Sequence, residues 1–114
     1  MSKPAQNELQ ALHAEVCAAL AEPVRIAILY ELADGPRNVG ELFSSLQLNQ
    51  TTVSRHLRFL RDRSMVLAER SGTNVYYSLA DPRIIQALDL MRAVLTGILE
   101  RRQSLLQEMR ENQA

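Results

Sequence analysis

The chain has 114 residues, 46% of them hydrophobic and only 4% aromatic, with no tryptophan and a formal net charge of zero. That length suits one domain, 1–114, around a small aliphatic core, and no run of about 18 uncharged apolar residues offers a membrane span. The N-terminus is polar through Gln10, with no signal-peptide pattern, and the single cysteine, Cys17, excludes an intrachain disulfide. Both features fit a cytoplasmic location.

The zero total hides an uneven distribution. Residues 1–49 carry three basic side chains against six acidic ones, and residues 50–83 carry six against three. Contacts to phosphate depend on local charge, so the second segment is the one suited to nucleic acid.

Residues 1–6 are expected to fray. A first helix is predicted over 7–20, with Leu9, Leu12, Val16 and Leu20 on one face. Glu22-Pro23 punctuates it, because proline suits a helix start and not its interior. A second helix over 23–33 would pack Ile26, Ile28, Leu29 and Leu32, and Asp34-Gly35-Pro36 ends it with a turn. Val39, Leu42, Phe43 and Leu46 then make a short amphipathic helix, and Gln47-Leu48-Asn49 breaks it.

The next helix, opened by Asn49 as N-cap, places Val53, Leu57 and Leu60 at i, i+4 and i+7 on one buried stripe. Around that stripe stand Gln50, Thr51, Thr52, Ser54, Arg55, His56, Arg58 and Arg61, whose hydroxyl, amide and guanidinium groups suit phosphate oxygens and base edges. Two short helices joined by a three-residue break form a helix-turn-helix over 39–63. Leu67-Ala68-Glu69-Arg70, a Ser71-Gly72-Thr73-Asn74 turn and Val75-Tyr76-Tyr77-Ser78-Leu79 then read as a β-hairpin over 67–79. The order α-α-α-α-β-β-α is a mainly α winged helix-turn-helix. Gln50, Thr51, Thr52, Ser54 and Arg55 are candidates for base edges. Arg58 and Arg61 are candidates for phosphates, and Arg70, Thr73 and Asn74 for the wing. His56 is expected to face DNA or solvent.

Asp81-Pro82 opens a last helix, predicted over 83–110. Ile84, Leu88, Met91, Leu95, Ile98, Arg102, Leu105 and Met109 alternate in spacings of four and three, a heptad seam interrupted by Arg102. Such a helix reaches about 40 Å at 1.5 Å per residue, more than this core can cover. The expected partner is a second copy, held through helices 7–20 and 83–110 by Leu9, Leu12, Val16, Leu88, Met91, Leu95, Ile98 and Leu105. A two-fold dimer would present two reading helices to double-stranded DNA as an inverted repeat, with half-sites about 10 bp apart or a multiple of it.

Over about residues 15–100 the chain resembles the ArsR/SmtB family of winged-helix repressors. The resemblance rests on Ala19-Leu20-Ala21-Glu22-Pro23-Val24-Arg25-Ile26-Ala27-Ile28-Leu29, on Gly40-Glu41-Leu42, on residues 50–60 and on residues 72–79. It implies a homodimeric regulator, usually a repressor, released from DNA by an inducer. The metal motifs of the family do not carry over. Its thiolate site, Glu-Leu-Cys-x-Cys, corresponds to Glu41-Leu42-Phe43-Ser44-Ser45, where neither phenylalanine nor serine suits a thiophilic metal. Its zinc site, an Asp-x-His and a His-x-x-Glu pair, corresponds to Asp81, Arg83, Val94 and Gly97, of which only Asp81 is a ligand type. No metal or other cofactor is expected.

Cys17, beside Val16 and Leu20, reads as a packing group. A thiol or redox sensor is the alternative, alone or paired with the equivalent cysteine across a dimer, and a third reading has His13, four residues earlier, share a soft metal with Cys17 across the dimer. A dimeric protein-interaction module with vestigial DNA binding is the other rival. No nucleophile–base pair or glycine-rich phosphate loop suggests an enzyme.

Overall fold

A computed structural model describes residues 2–113. The chain divides at Pro82 into a packed unit and a single long helix.

In the packed unit the first helix, α1, runs over 6–20. Gln6–Ala11 and Ala18–Leu20 are α-helical, and Leu12–Cys17 between them is a π turn, with the Ala18 N–H bonded to the His13 carbonyl. Pro23 opens α2 (Pro23–Glu31), capped by the Glu22 carboxylate, which accepts from the Val24 N–H at 3.3 Å. This helix is shorter than the predicted 23–33. It tightens into a 3-10 turn at Leu32–Asp34 and stops at Gly35, whose φ of 129° is costly for any residue with a Cβ.

Asn38 caps α3 (Val39–Leu46) through a reciprocal box. Its Oδ1 accepts from the Glu41 N–H at 2.8 Å, and Glu41 Oε1 accepts from the Asn38 N–H at 3.1 Å. Gln47, in the left-handed region at φ 55°, turns the chain out of α3. Asn49 then caps α4 (Gln50–Asp62), accepting from the Thr52 N–H at 2.8 Å. Both helices begin where the sequence placed them.

The hairpin is β2 (Val66–Ser71) against β3 (Asn74–Leu79), in register from Val66 opposite Leu79 to Ser71 opposite Asn74. Gly72, at φ 64°, leads the two-residue turn, where such a hairpin asks for glycine. A third strand, β1 (Arg37–Asn38), pairs antiparallel with Tyr76 and Tyr77 on the other side of β3, so the sheet order is β1-β3-β2 and not a bare hairpin. Two residues are too few for periodicity to show, so this strand exists through its pairing.

The core of this unit is aliphatic. Ile28, Leu29, Leu42, Val53, Leu57 and Leu60 have no exposed surface, and Ala19, Leu32, Met65 and Val66 close it. The buried stripe of α4 meets α2 and α3, which fixes the opposite face of α4 outward. The last helix, α5 (Arg83–Asn112), is two residues longer than predicted. Among the described residues no helix is long and apolar enough to cross a membrane.

Candidate nucleic-acid interface

Helix α4 sorts its residues by face. Val53, Leu57 and Leu60 lie inward with no exposed surface, while Gln50, Thr51, Ser54, Arg55, Arg58 and Arg61 are exposed and Thr52 is half-buried. Two grooves run along the outer face. One brings Gln50, at the first turn of α4, together with Thr73 and Asn74 at the tip of the wing and with Asn38 and Gly40 at the start of α3. The other joins Ser54, Arg58, Arg61 and the acidic Asp62 to Tyr77 of β3. Tyr77 borders both grooves, so helix and wing form one continuous surface. Arg70 is exposed on β2 opposite Val75, outside both grooves. Neither Arg58 nor Arg61 is paired with an acid among the described residues, so both guanidinium groups are available to an outside anion.

His56 corrects the sequence reading. It is 8% exposed and does not face DNA or solvent. Its place three residues after Val53 and one before Leu57 puts it on the buried stripe, a signal that its polarity obscured. Nδ1 lies 3.3 Å from Arg25 Nη1. Burial holds the ring below its ordinary pKa, Arg25 and Arg55 add to that effect, and Glu22 opposes it.

Arg25 is a lone charge among Val24, Ile26 and Ile28 and needs partners. Its Nε and Nη2 donate to the Ala19 and Ala18 carbonyls, each at 2.9 Å, at the end of α1. Its guanidinium carbon lies 4.0 Å from the centre of the Phe59 ring, and that of Arg63 lies 3.4 Å from the same ring. Arg63 also reaches the Ala14 carbonyl at 3.4 Å. Two arginines therefore tie three carbonyls of α1 to one aromatic ring on α4, a cation–π arrangement.

The expected dimer residues fare unevenly. Leu9 and Leu12 on α1 and Met91, Leu95 and Leu105 on α5 are exposed, while Val16 and Ile98 are half-buried. Leu88 is 7% exposed. Cys17 is exposed, not packed. It follows the half-buried Val16 at the end of the π turn. His13 is exposed on the same π turn.

A two-helix unit with one polar outward helix, flanked by a three-stranded wing, defines the winged helix-turn-helix class. Within it the chain belongs to the ArsR family of bacterial regulatory proteins. The family profile "Bacterial regulatory protein, arsR family" matches residues 22–66. The HTH-type transcriptional regulator Rv0081 of Mycobacterium tuberculosis is 40% identical over 103 residues, 90% of either chain. Its crystal structure superposes with a TM-score of 0.73, covering 89% of this chain and 98% of that one. The HTH-type transcriptional repressor SmtB of the same organism is 44% identical over 68% of this chain and 58% of its own. The homodimeric winged helix-turn-helix DNA-binding domain of Mb0332 from Mycobacterium bovis, a 1–100 fragment solved in solution, is 32% identical with a TM-score of 0.72 over 89% of this chain and 95% of that one. The family is one of transcriptional regulators and not of enzymes.

Proposed function

We propose that two copies of this chain bind an inverted-repeat DNA operator and repress transcription from it. Each α4 enters a major groove, with Gln50, Thr51, Thr52, Ser54 and Arg55 at base edges, Arg58 and Arg61 on phosphates, and Arg70, Thr73 and Asn74 of the wing on the adjoining backbone or minor groove. The observation that carries this reading is the shared groove of Gln50 with Thr73 and Asn74. It sets the first turn of the reading helix beside the wing tip, so both can touch one duplex. The homodimeric state of the Mb0332 fragment and the repressor name of SmtB support assembly and sign of action. The inducer is neither zinc nor arsenic bound at the usual family positions, since Phe43, Ser44, Ser45, Arg83, Val94 and Gly97 occupy them.

Fluorescence anisotropy against the DNA upstream of the chain's own gene and a scrambled duplex tests this. Tight, sequence-dependent binding is expected, and Arg55→Ala should cost about 1–3 kcal/mol on the specific duplex only. Equal losses on both duplexes would make Arg55 a phosphate contact, and no preference at any salt would favour a protein-interaction module. The exposure of Cys17 supports one variant of the reading, a thiol-responsive repressor. In that case an oxidant releases the DNA and Cys17→Ser abolishes the response.

A further inference from the structure

Tyr77 stands where the two grooves of the interface meet, yet none of the contacts to DNA named above uses it. It sits on the middle strand of the sheet, opposite Arg37 of β1 and Ala68 of β2, so its backbone is held from both sides. Its ring is half-buried. The hydroxyl has no hydrogen-bond partner among the described residues, and no side-chain oxygen shut away from solvent lacks one, so this hydroxyl is open to solvent. A tyrosine that buries its ring ordinarily finds a partner for its O–H. Here the donor is firmly mounted and still free.

Its surroundings suit an anion. Ser54, Arg58 and Arg61 line the same groove, and neither guanidinium is paired with an acid among the described residues. Asp62 lies there too and opposes them. Ser54, Arg58 and Asp62 follow one another at single turns of α4, so repulsion from Asp62 favours an anion at the Ser54–Arg58 end.

We propose that the Tyr77 hydroxyl donates a hydrogen bond to a DNA phosphate lying in this groove beside Ser54 and Arg58. The assignment rests on the operator-binding reading above and deepens it. A neutral, fixed donor on the sheet, besides the long arginines of the helix, then sets how deeply α4 enters the major groove. A phosphate contact of this kind positions the protein without reading sequence.

Fluorescence anisotropy on the full chain tests it, with the duplex from upstream of its own gene and a scrambled duplex, at several salt concentrations. Tyr77→Phe removes one oxygen and keeps the ring. It should weaken both duplexes about tenfold and leave the salt dependence as steep as before, because a neutral donor releases no counterion. Its urea midpoint should not move, since the folded chain gives that hydroxyl no partner to lose. Tyr76→Phe, on the opposite face of the strand and outside both grooves, should bind as the wild-type chain does. Asp62→Asn should tighten both duplexes about threefold.

If the wild-type chain binds and Tyr77→Phe binds equally well, this assignment falls alone. If the wild-type chain binds neither duplex, the operator reading falls and the assignment with it. A flattened salt dependence in Tyr77→Phe would make the ring a support for Arg58 and not a contact, and would overturn the proposal. So would a loss confined to the specific duplex, an equal loss in Tyr76→Phe, a lowered urea midpoint, or no gain in Asp62→Asn.

Discussion

At 3.3 Å from Arg25 Nη1, His56 Nδ1 is placed to accept from the guanidinium, a role open to the neutral ring and closed to the imidazolium. Burial favours that neutral form, so the folded chain binds the proton less readily than the unfolded one. Stability contributed by the ring is therefore complete above the unfolded value of about 6.5 and is lost as pH falls from there toward the lowered folded value. Urea unfolding at pH 7.5 and pH 5.5 should show a lower midpoint at the acid pH, and His56→Gln should shrink that difference. An undiminished difference would assign it to another group. Arg25 offers a companion prediction. Lysine keeps the charge but has no planar fork for the Ala18 and Ala19 carbonyls and the Phe59 face together. Arg25→Lys should cost about 1–3 kcal/mol in the same titration, and a neutral result would show that charge alone matters there.

Elements were legible where their signals are local. Asn49 and the break before it place the start of α4 because an N-cap is chemistry between near neighbours, and Gly72 places the wing turn for the same reason. Asn49→Ala should cost about 1 kcal/mol. Gly72→Ala meets no neighbour within 4 Å, so its penalty comes from the positive φ alone, about 1–2 kcal/mol, with the hairpin frayed and the core intact. Amide exchange confined to β2 and β3 would report that, whereas exchange spreading into α2 would contradict it. Illegible elements depend on distant or subtle causes. Strand β1 needs Tyr76 and Tyr77 from some forty residues away. The π turn of α1 differs from an α turn by one residue in its hydrogen bond and leaves no mark on composition. The polarity of His56 masks a position that lies on the buried stripe, and Arg25 bonds to backbone carbonyls, which no side-chain pattern reveals.

For the whole molecule the outward face of α4 was readable from residue type and period, while its continuity with the wing came from the fold, through Tyr77. Affinity for DNA built on such a face should fall with salt by about 0.9 logarithmic units per phosphate contact per decade. In a two-copy complex, Arg58→Ala and Arg61→Ala should each flatten that dependence by about 2 and weaken specific and scrambled duplexes alike; an unchanged slope would remove them from the backbone. The arginine tie between α1 and α4 has a mechanical consequence. Phe59 is the ring that Arg25 and Arg63 both stack on, and their guanidinium groups donate to the carbonyls of Ala14, Ala18 and Ala19. If copies meet along the exposed leucines of α1, this linkage makes the chain a caliper whose jaws are the two reading helices. A small rotation of α1 would then reset the jaw opening against the roughly 34 Å repeat of the duplex, without any pocket near the DNA.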